Sequence, residues 1–322
     1  MLKFLRLAAI TALPLALAMP AKAADPYPSR TVKLIVPFGA GGPADVYARI
    51  LAQHLGEETK QAFVVEDRPG AGALIGTDAV AKSAPDGYTL LEMSNTHTTN
   101  ESLLSNKPYE LMRDFVPVAT INYSDLLMVV HPSVEAKTVA EFIALAKKEP
   151  GKLNYASSGP GTPYHMAGEL FKAMSKTDIV HVPHKASGDA RNSVLSGNVQ
   201  MMLDAVTAMS ALAKDGKVRA LATTGLKRNP LTPDLPTVAE TVPGYEATIW
   251  LGIMAPKGTP PEVIAFLNKS INKVIELPAV KELWAKQGAV PLVKTPAEFD
   301  AYLKKDIEKW AEVVKVSGAK VQ

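Results

Sequence analysis

The chain alternates short apolar runs with longer amphipathic stretches. Apolar runs of strand length lie at Val32 to Val36, Phe63 to Glu66 and Tyr88 to Met93, and the first two precede stretches with helical spacing at Ala44 to Gly56 and Leu74 to Lys82. Glycine, proline and polar residues separate these segments. Alternation of this kind predicts an α/β fold built on a parallel, doubly wound sheet.

A second unit of the same kind begins near Val118. Its pattern predicts strands at 126–130, 153–156, 179–183, 199–204 and 218–223, and helices at 140–149, 164–174 and 188–195. Because this block looks complete, the helices that follow it, ending with an amphipathic helix at 296–316, are expected to pack on the first unit. We predict a first lobe of residues 24–120 plus 250–322 and a second lobe of residues 121–249, joined near 119–125 and 242–252.

A glycine turn joins the first strand to the first helix. Gly39 to Gly42 form the turn, Pro43 suits the first helical position, and Asp45 lies in the first turn, where a carboxylate complements the helix dipole. Backbone N–H groups at such a turn have no intrahelical partner and no side chain shields them, so an anion can bind. Neither G-x-G-x-x-G nor a phosphate loop is present, so a carboxylate is the better candidate. The alternative is a turn that only connects two elements.

The same arrangement recurs in the second unit. A predicted strand ends in Ser157-Ser158-Gly159-Pro160-Gly161-Thr162-Pro163, and the next helix begins there. The sequence therefore predicts two anion-binding loops, one in each half. A further polar loop, Ser94 to Thr98, is expected at the end of a strand in the first half.

The N-terminus and the charge balance limit the location and the partners. Residues 1–23 combine Lys3 and Arg6, an apolar run and an Ala-Lys-Ala ending, which is typical of a secretory signal peptide. The basic residues of this segment account for the whole net charge of +3, so no basic surface for nucleic acid is predicted. The absence of cysteine excludes thiol chemistry. We expect a periplasmic protein.

No catalytic or metal-binding pattern is present. Ser157 and Ser158 lie on a loop between a strand and a helix, but the Gly-x-Ser-x-Gly motif of hydrolases is missing. His181 and His184 form a His-x-x-His pair without a third ligand at a fitting spacing. We therefore predict no enzyme activity, no metal and no cofactor.

Several ordered motifs resemble one known family over nearly the whole chain after the signal peptide. They are Pro-Phe-Gly-Ala-Gly-Gly-Pro-Ala-Asp (37–45), Val-Glu-Asp-Arg-Pro-Gly-Ala-Gly (65–72), Ala-Pro-Asp-Gly-Tyr-Thr-Leu (84–90) and Asn-Tyr-Ala-Ser-Ser-Gly-Pro-Gly-Thr-Pro (154–163). The set is similar to the Bordetella uptake gene (Bug) family, the periplasmic solute receptors of tripartite tricarboxylate transporters. This resemblance implies a two-lobed periplasmic binding protein, type II-like, in which each lobe is a doubly wound sheet flanked by helices.

The resemblance also implies which residues bind the ligand. One ligand carboxylate is expected between two loops, on Phe38, Gly39, Ala40, Gly41, Gly42 and Asp45 from the first and Ser157, Ser158, Gly159, Gly161 and Thr162 from the second. More variable positions, Asn95, Thr96, His184 and Asp204, are expected to contact the rest of the ligand. Alternatively, Asp204 caps the segment that follows it, and His184 bonds to backbone.

The expected function follows from these implications. The protein is predicted to be a monomer that closes on a small organic carboxylate and delivers it to integral-membrane transporter subunits. The alternative is a receptor that presents the carboxylate to a membrane sensor kinase, without transport. The sequence does not identify the carboxylate.

Overall fold

The computed structural model describes residues 26–317, so the predicted signal peptide lies outside the described residues. The elements in chain order are β1 (Val32–Val36), α1 (Pro43–Thr59), β2 (Phe63–Asp67), α2 (Leu74–Ala81), β3 (Thr89–Ser94), α3 (Asn95–Leu103), α4 (Leu111–Asp114), β4 (Phe115–Val130), α5 (Val139–Lys148), β5 (Asn154–Ser157), α6 (Pro163–Ser175), β6 (Val180–Pro183), α7 (Ser187–Leu195), β7 (Met201–Ala205), α8 (Val206–Lys214), β8 (Arg219–Thr223), β9 (Thr248–Pro256), α9 (Pro261–Ile275), α10 (Pro278–Lys286), β10 (Ala289–Pro291) and α11 (Pro296–Ser317). Within these residues, no helix is both long enough and apolar enough to span a membrane.

One continuous sheet runs through the molecule in the order β2-β1-β3-β9-β4-β7-β5-β6. β1 pairs in parallel with β2 and β3, and β5 pairs in parallel with β6 and β7. β4 and β9 cross between the two parallel sets as a long antiparallel pair, from Phe115 opposite Pro256 to Asp125 opposite Thr248. The segment predicted as a crossover at 119–125 is therefore part of a strand.

The last helix contacts both halves of the molecule. Phe299 and Leu303 pack in an apolar cluster with residues of β1, β3 and β9, whereas Trp310 and Val313 pack in a cluster with residues of β4, α5 and α6. The sequence predicted packing on the first unit, and Phe299 and Leu303 pack there, but it did not predict the contacts of Trp310 and Val313 with the second unit. An amphipathic stripe shows that a helix face is buried but not which elements cover it.

A buried carboxylate on α11 joins three elements. Asp306 Oδ2 accepts hydrogen bonds from Thr98 Oγ1 at 2.5 Å, Trp250 Nε1 at 3.2 Å and Trp310 Nε1 at 3.2 Å. The indole of Trp250 also packs edge-on against Phe299. Trp250 is therefore a core residue.

The polar stretch Ser94 to Thr98 begins a helix and is not a loop. Ser94 is the N-cap of α3, and its hydroxyl accepts the N–H of Thr96 at 3.1 Å. The Nδ1 of His97 accepts the N–H of Ser94 at 3.1 Å, which completes a capping box. Threonine and asparagine have low helix propensity, so the cap and the buried packing decide the conformation here.

Candidate ligand-binding site

A cavity of about 350 Å³ lies where the two parallel strand sets meet β4 and β9. The first glycine turn, the start of α1 and the start of α3 form one wall, and the second glycine loop with the starts of α6 and α8 forms another. Residues of β4 and β9 also line the cavity. The lining residues are Phe38, Gly39, Gly42, Pro43, Ala44, Tyr47, Gly72, Ala73, Ser94, Thr96, Asn122, Ser124, Asp125, Ser158, Thr162, Pro163, Tyr164, Ala205, Val206, Thr207, Ile249, Leu251, Gln287 and Gly288.

The first glycine turn is held in shape by the helix that follows it. Gly41 has a left-handed backbone with φ +74°, and its N–H donates to Asp45 Oδ2 at 2.7 Å. Asp45 is buried and also forms an ion pair with Arg49 Nε at 2.6 Å. No side chain caps α1, whose N-cap is Gly42. Asp45 therefore shapes the turn, and the N–H groups of the first helical turn are left for another acceptor.

The second glycine loop repeats this arrangement. Gly161 has φ +76°, and its N–H donates to His165 Nδ1 at 3.0 Å. Thr162 is the N-cap of α6; its Oγ1 donates to Gly159 O at 2.7 Å and accepts the N–H of His165 at 3.4 Å. In both loops a glycine N–H is accepted by the side chain four residues further on. That acceptor is a carboxylate in the first loop and an imidazole in the second.

Two stacked imidazoles lie beneath the second loop. The rings of His165 and His181 have centroids 4.1 Å apart, and His181 Nε2 is 2.6 Å from Ser157 Oγ. Burial lowers the pKa of His165 to about 4 and that of His181 to about 3, so both rings are neutral at neutral pH. Within residues 26–317 no three His, Cys, Asp or Glu side chains are grouped to hold a metal ion.

The structure brings six of the predicted ligand-binding residues to the cavity wall: Phe38, Gly39, Gly42, Thr96, Ser158 and Thr162. The others do not line it: Ala40, Gly41, Asp45, Asn95, Ser157, Gly159, Gly161, His184 and Asp204. Most of this second set belongs to the two loops and supports their shape.

Asp204, His184 and Asn95 bond to protein groups instead. Asp204 is fully buried, with Oδ2 2.5 Å from Arg191 Nε and Oδ1 accepting the N–H of Ala205 at 2.7 Å. Burial raises the pKa of Asp204, and the Arg191 guanidinium opposes this shift. The Nδ1 of His184 lies 3.0 Å from Val182 O. Asn95 Nδ2 donates to Thr248 O at 3.3 Å.

Sequence reasoning missed several residues of the cavity wall. Asn122, Ser124 and Asp125 are polar residues within the long strand β4. Polar side chains inside an otherwise apolar run are a usable signal, because burial of such groups requires partners. Tyr47 lies one turn after the start of α1, and its hydroxyl donates to Gln287 O at 2.9 Å, so it closes one side of the cavity.

Sequence comparison finds relatives that align with nearly the whole chain. The family model described as tripartite tricarboxylate transporter family receptor matches residues 47–319. Protein BugT of Bordetella pertussis is 39% identical over 302 residues, which cover 93% of each chain.

Solved structures give the same result. An R. palustris protein solved with adipate has a TM-score of 0.81 at 34% identity, covering 92% of this chain and 100% of that one. The periplasmic binding protein BugD has a TM-score of 0.78 at 35% identity with the same coverage. MatC from Rhodopseudomonas palustris, with bound malate, has a TM-score of 0.76 at 29% identity, covering 89% of this chain and 100% of MatC.

These likenesses confirm both the periplasmic binding protein fold and the resemblance inferred from the motifs. The family match covers residues 47–319, so it includes the second glycine loop and the crossing strands β4 and β9. The chain belongs to the tripartite tricarboxylate transporter receptor family, the Bug-type periplasmic solute-binding proteins.

Proposed function

We propose that this protein is an extracytoplasmic receptor that closes on a small organic carboxylate and delivers it to the membrane subunits of a tripartite tricarboxylate-type transporter. The observation that carries this proposal is the presence of two glycine loops on one cavity, each leading into a helix N-terminus. Helix N-termini and free backbone N–H groups favour an anion.

The chemistry of the cavity wall suits a carboxylate. No Lys, Arg or His side chain lines it in the described part of the chain, so ligand charge must be met by N–H groups and hydroxyls such as that of Ser158. Desolvation of a carboxylate is costly, and several charge-assisted hydrogen bonds offset that cost. A cavity of about 350 Å³ matches a small ligand.

Closure about the crossing strands gives the ligand a role in the mechanism. The pairing of β4 with β9 shifts register between Pro117 and Ala119 and again between Thr120 and Asn122, and such irregularities allow local bending. A carboxylate that contacts both loops binds the closed form better than the open form. That differential affinity is what shifts the population toward closure.

The relatives support the ligand class and the partner. One was solved with adipate and another with malate, both of which are carboxylates. The family description names a transporter receptor, which supports transporter subunits as the docking partner. We propose no catalytic role, because Ser157 is fully buried and bonded to His181, away from the cavity wall.

The test is calorimetric titration of the chain without residues 1–23 against a panel of carboxylates, with sugars and uncharged amides as controls. A carboxylate should bind to the wild-type protein. Gly39→Val should abolish that binding, because Gly39 lines the cavity and the added side chain would occupy space next to the ligand. No protein atom lies within 4 Å of a Cβ at this position, so the fold should tolerate the change. Gly188→Val is the matched control, since Gly188 is equally open and lies on α7, outside the cavity wall.

Two results would contradict the proposal. One is that no carboxylate binds while a sugar or an amide does. The other is that a carboxylate binds equally well to wild type and to Gly39→Val, which would separate carboxylate binding from the first glycine loop.

A further inference from the structure

Asp125 is the one charged side chain on the cavity wall within the described residues. It lies on β4 at the point where pairing with β9 ends, opposite Thr248, and pairing with β7 begins at Leu126. The wall therefore has a single acidic side chain and no basic one. For a protein proposed to bind carboxylates, this arrangement restricts what the rest of the ligand can be.

No cation neutralises Asp125. Its Oδ2 accepts a hydrogen bond from the neutral amide of Asn229 at 2.9 Å, and its Oδ1 has no hydrogen-bond partner within the described residues. Asp125 is 5% exposed, and none of the ion pairs among the described residues includes it. Burial, and to a smaller extent the nearby Glu246 carboxylate, raise the pKa of Asp125, whereas the Asn229 hydrogen bond opposes this shift.

Two other buried acids near the site, Asp204 and Asp45, are each paired with an arginine. Asp204 pairs with Arg191 at 2.5 Å, and Asp45 pairs with Arg49 at 2.6 Å. A buried charge is costly unless it is paired, so Asp125 stands apart from these two.

Space for a ligand group continues beyond Asp125. A second cavity of about 240 Å³ shares Ser124, Asp125 and Gly288 with the first. Lys227 and Arg228 line this second cavity, but neither forms an ion pair with Asp125, and Arg228 binds Glu240 at 2.9 Å. Asp125 therefore lies at the boundary that a longer ligand would cross.

We propose that the ligand supplies the missing partner of Asp125. Besides the carboxylate held by the glycine loops, the ligand carries a hydrogen-bond donor, an ammonium or a hydroxyl group, that faces Asp125. A second carboxylate at that position is disfavoured by like-charge repulsion in a desolvated site. This inference rests on the proposed carboxylate-binding function and narrows the ligand class.

The experiment compares length-matched ligands by calorimetric titration. Butanoate, pentanoate and hexanoate are each measured with their terminal amino, hydroxy and carboxylate counterparts. Wild type should bind the best amino or hydroxy acid at least about tenfold, or ~1.4 kcal/mol, more tightly than the dicarboxylate of the same length. If the amino acid binds more tightly than the hydroxy acid, the interaction with Asp125 depends on charge. If the two bind equally well, the interaction depends on hydrogen bonding.

The variant Asp125→Asn tests the residue itself. The asparagine oxygen can still accept a hydrogen bond from the Asn229 amide, so we expect the fold to be retained. The affinities of this variant for the amino or hydroxy acid and for the dicarboxylate of the same length should differ by no more than about threefold. Asp215→Asn, an exposed Asp beyond the C-terminal end of α8, is the matched control and should keep the wild-type preference.

The outcomes separate the two proposals. If a dicarboxylate binds wild type most tightly, or if Asp125→Asn keeps the wild-type preference, the inference about the donor is overturned and carboxylate binding stands. If no carboxylate in the series or in the wider panel binds, both proposals fail. Should Asp125→Asn not fold, the wild-type series alone decides.

Discussion

Removal of the Asp306 carboxylate should destabilise the whole molecule, because this one side chain joins α11 to α3 and β9. Its Oδ2 accepts hydrogen bonds from Thr98, Trp250 and Trp310, at 2.5, 3.2 and 3.2 Å. Asp306 is 8% exposed, so water cannot readily replace the lost acceptor. Asp306→Ala leaves the two buried indole N–H groups without a partner, whereas the Thr98 hydroxyl can still donate to Asn95 O at 2.9 Å.

The size of the effect follows from those two unpaired indole donors. Each unpaired buried donor costs about 1–3 kcal/mol, and the costs are not additive. Burial raises the pKa of Asp306, which means that the charged carboxylate is itself costly to bury and part of the loss is recovered on its removal. We expect Asp306→Ala to lower the free energy of unfolding by roughly 3 kcal/mol. Asp306→Asn should lose less, since its amide oxygen still accepts.

The assay is urea unfolding followed by tryptophan fluorescence, which reports directly on the two indoles that contact Asp306. Asp300→Ala is the matched control on the same helix. Asp300 pairs with Lys304 at 2.6 Å on the surface, with side chains 35% and 62% exposed, and such pairs contribute about 0–1 kcal/mol. If Asp306→Ala and Asp300→Ala unfold within about 1 kcal/mol of each other, the reasoning from buried donors is refuted.

Three further predictions concern the two loops and the buried charges. Gly161→Ala forces an L-residue into a left-handed backbone at φ +76°, so it should cost about 1–2 kcal/mol of stability and weaken carboxylate binding. Gly188→Ala should have neither effect. Equal melting temperatures and equal carboxylate affinities for the two variants would refute this prediction. Burial holds the pKa of His165 at about 4, below its unfolded value of about 6.5, so the unfolded state binds more protons between these values and this group's contribution to stability is lost as pH falls. His165→Gln should therefore lose less unfolding free energy than wild type between about pH 7 and pH 5, and equal losses in urea titrations would contradict the assignment. Arg191→Ala leaves Asp204 buried without its cation and should lower the free energy of unfolding by roughly 3 kcal/mol. Asp204→Asn should leave the ligand preference unchanged, and a changed preference would show that Asp204 contacts the ligand.

Local chemistry in the sequence was enough to find the two glycine loops. Glycine at a left-handed position, followed by proline at a helix start, has few alternative conformations, so Gly41 and Gly161 were recognisable without tertiary information. Ser94 to Thr98 was misjudged because its residues individually disfavour a helix. The cap formed by Ser94 and His97, together with burial, outweighs that preference.

The sequence could not predict which acidic residue lines the cavity. Asp204 and Asp125 both lie on apolar strands, and the sequence favoured Asp204 as the ligand contact. Which acid is neutralised depends on where Arg191 lies after folding, and no local pattern encodes that pairing. The same limit applied to α11, whose apolar stripe gave its burial but not its two sets of neighbours.

The position of β9 has a consequence for how the chain folds. β9 lies between β3 and β4 in the sheet, although β4 to β8 precede it in the chain, and α11, which completes the apolar clusters of both halves, comes later still. A fragment that ends before Thr248 therefore lacks a central strand and part of each core. Such dependence on contacts between distant parts of the chain slows folding. Each half therefore takes part of its core from α11, so we expect truncation before α11 to destabilise both halves.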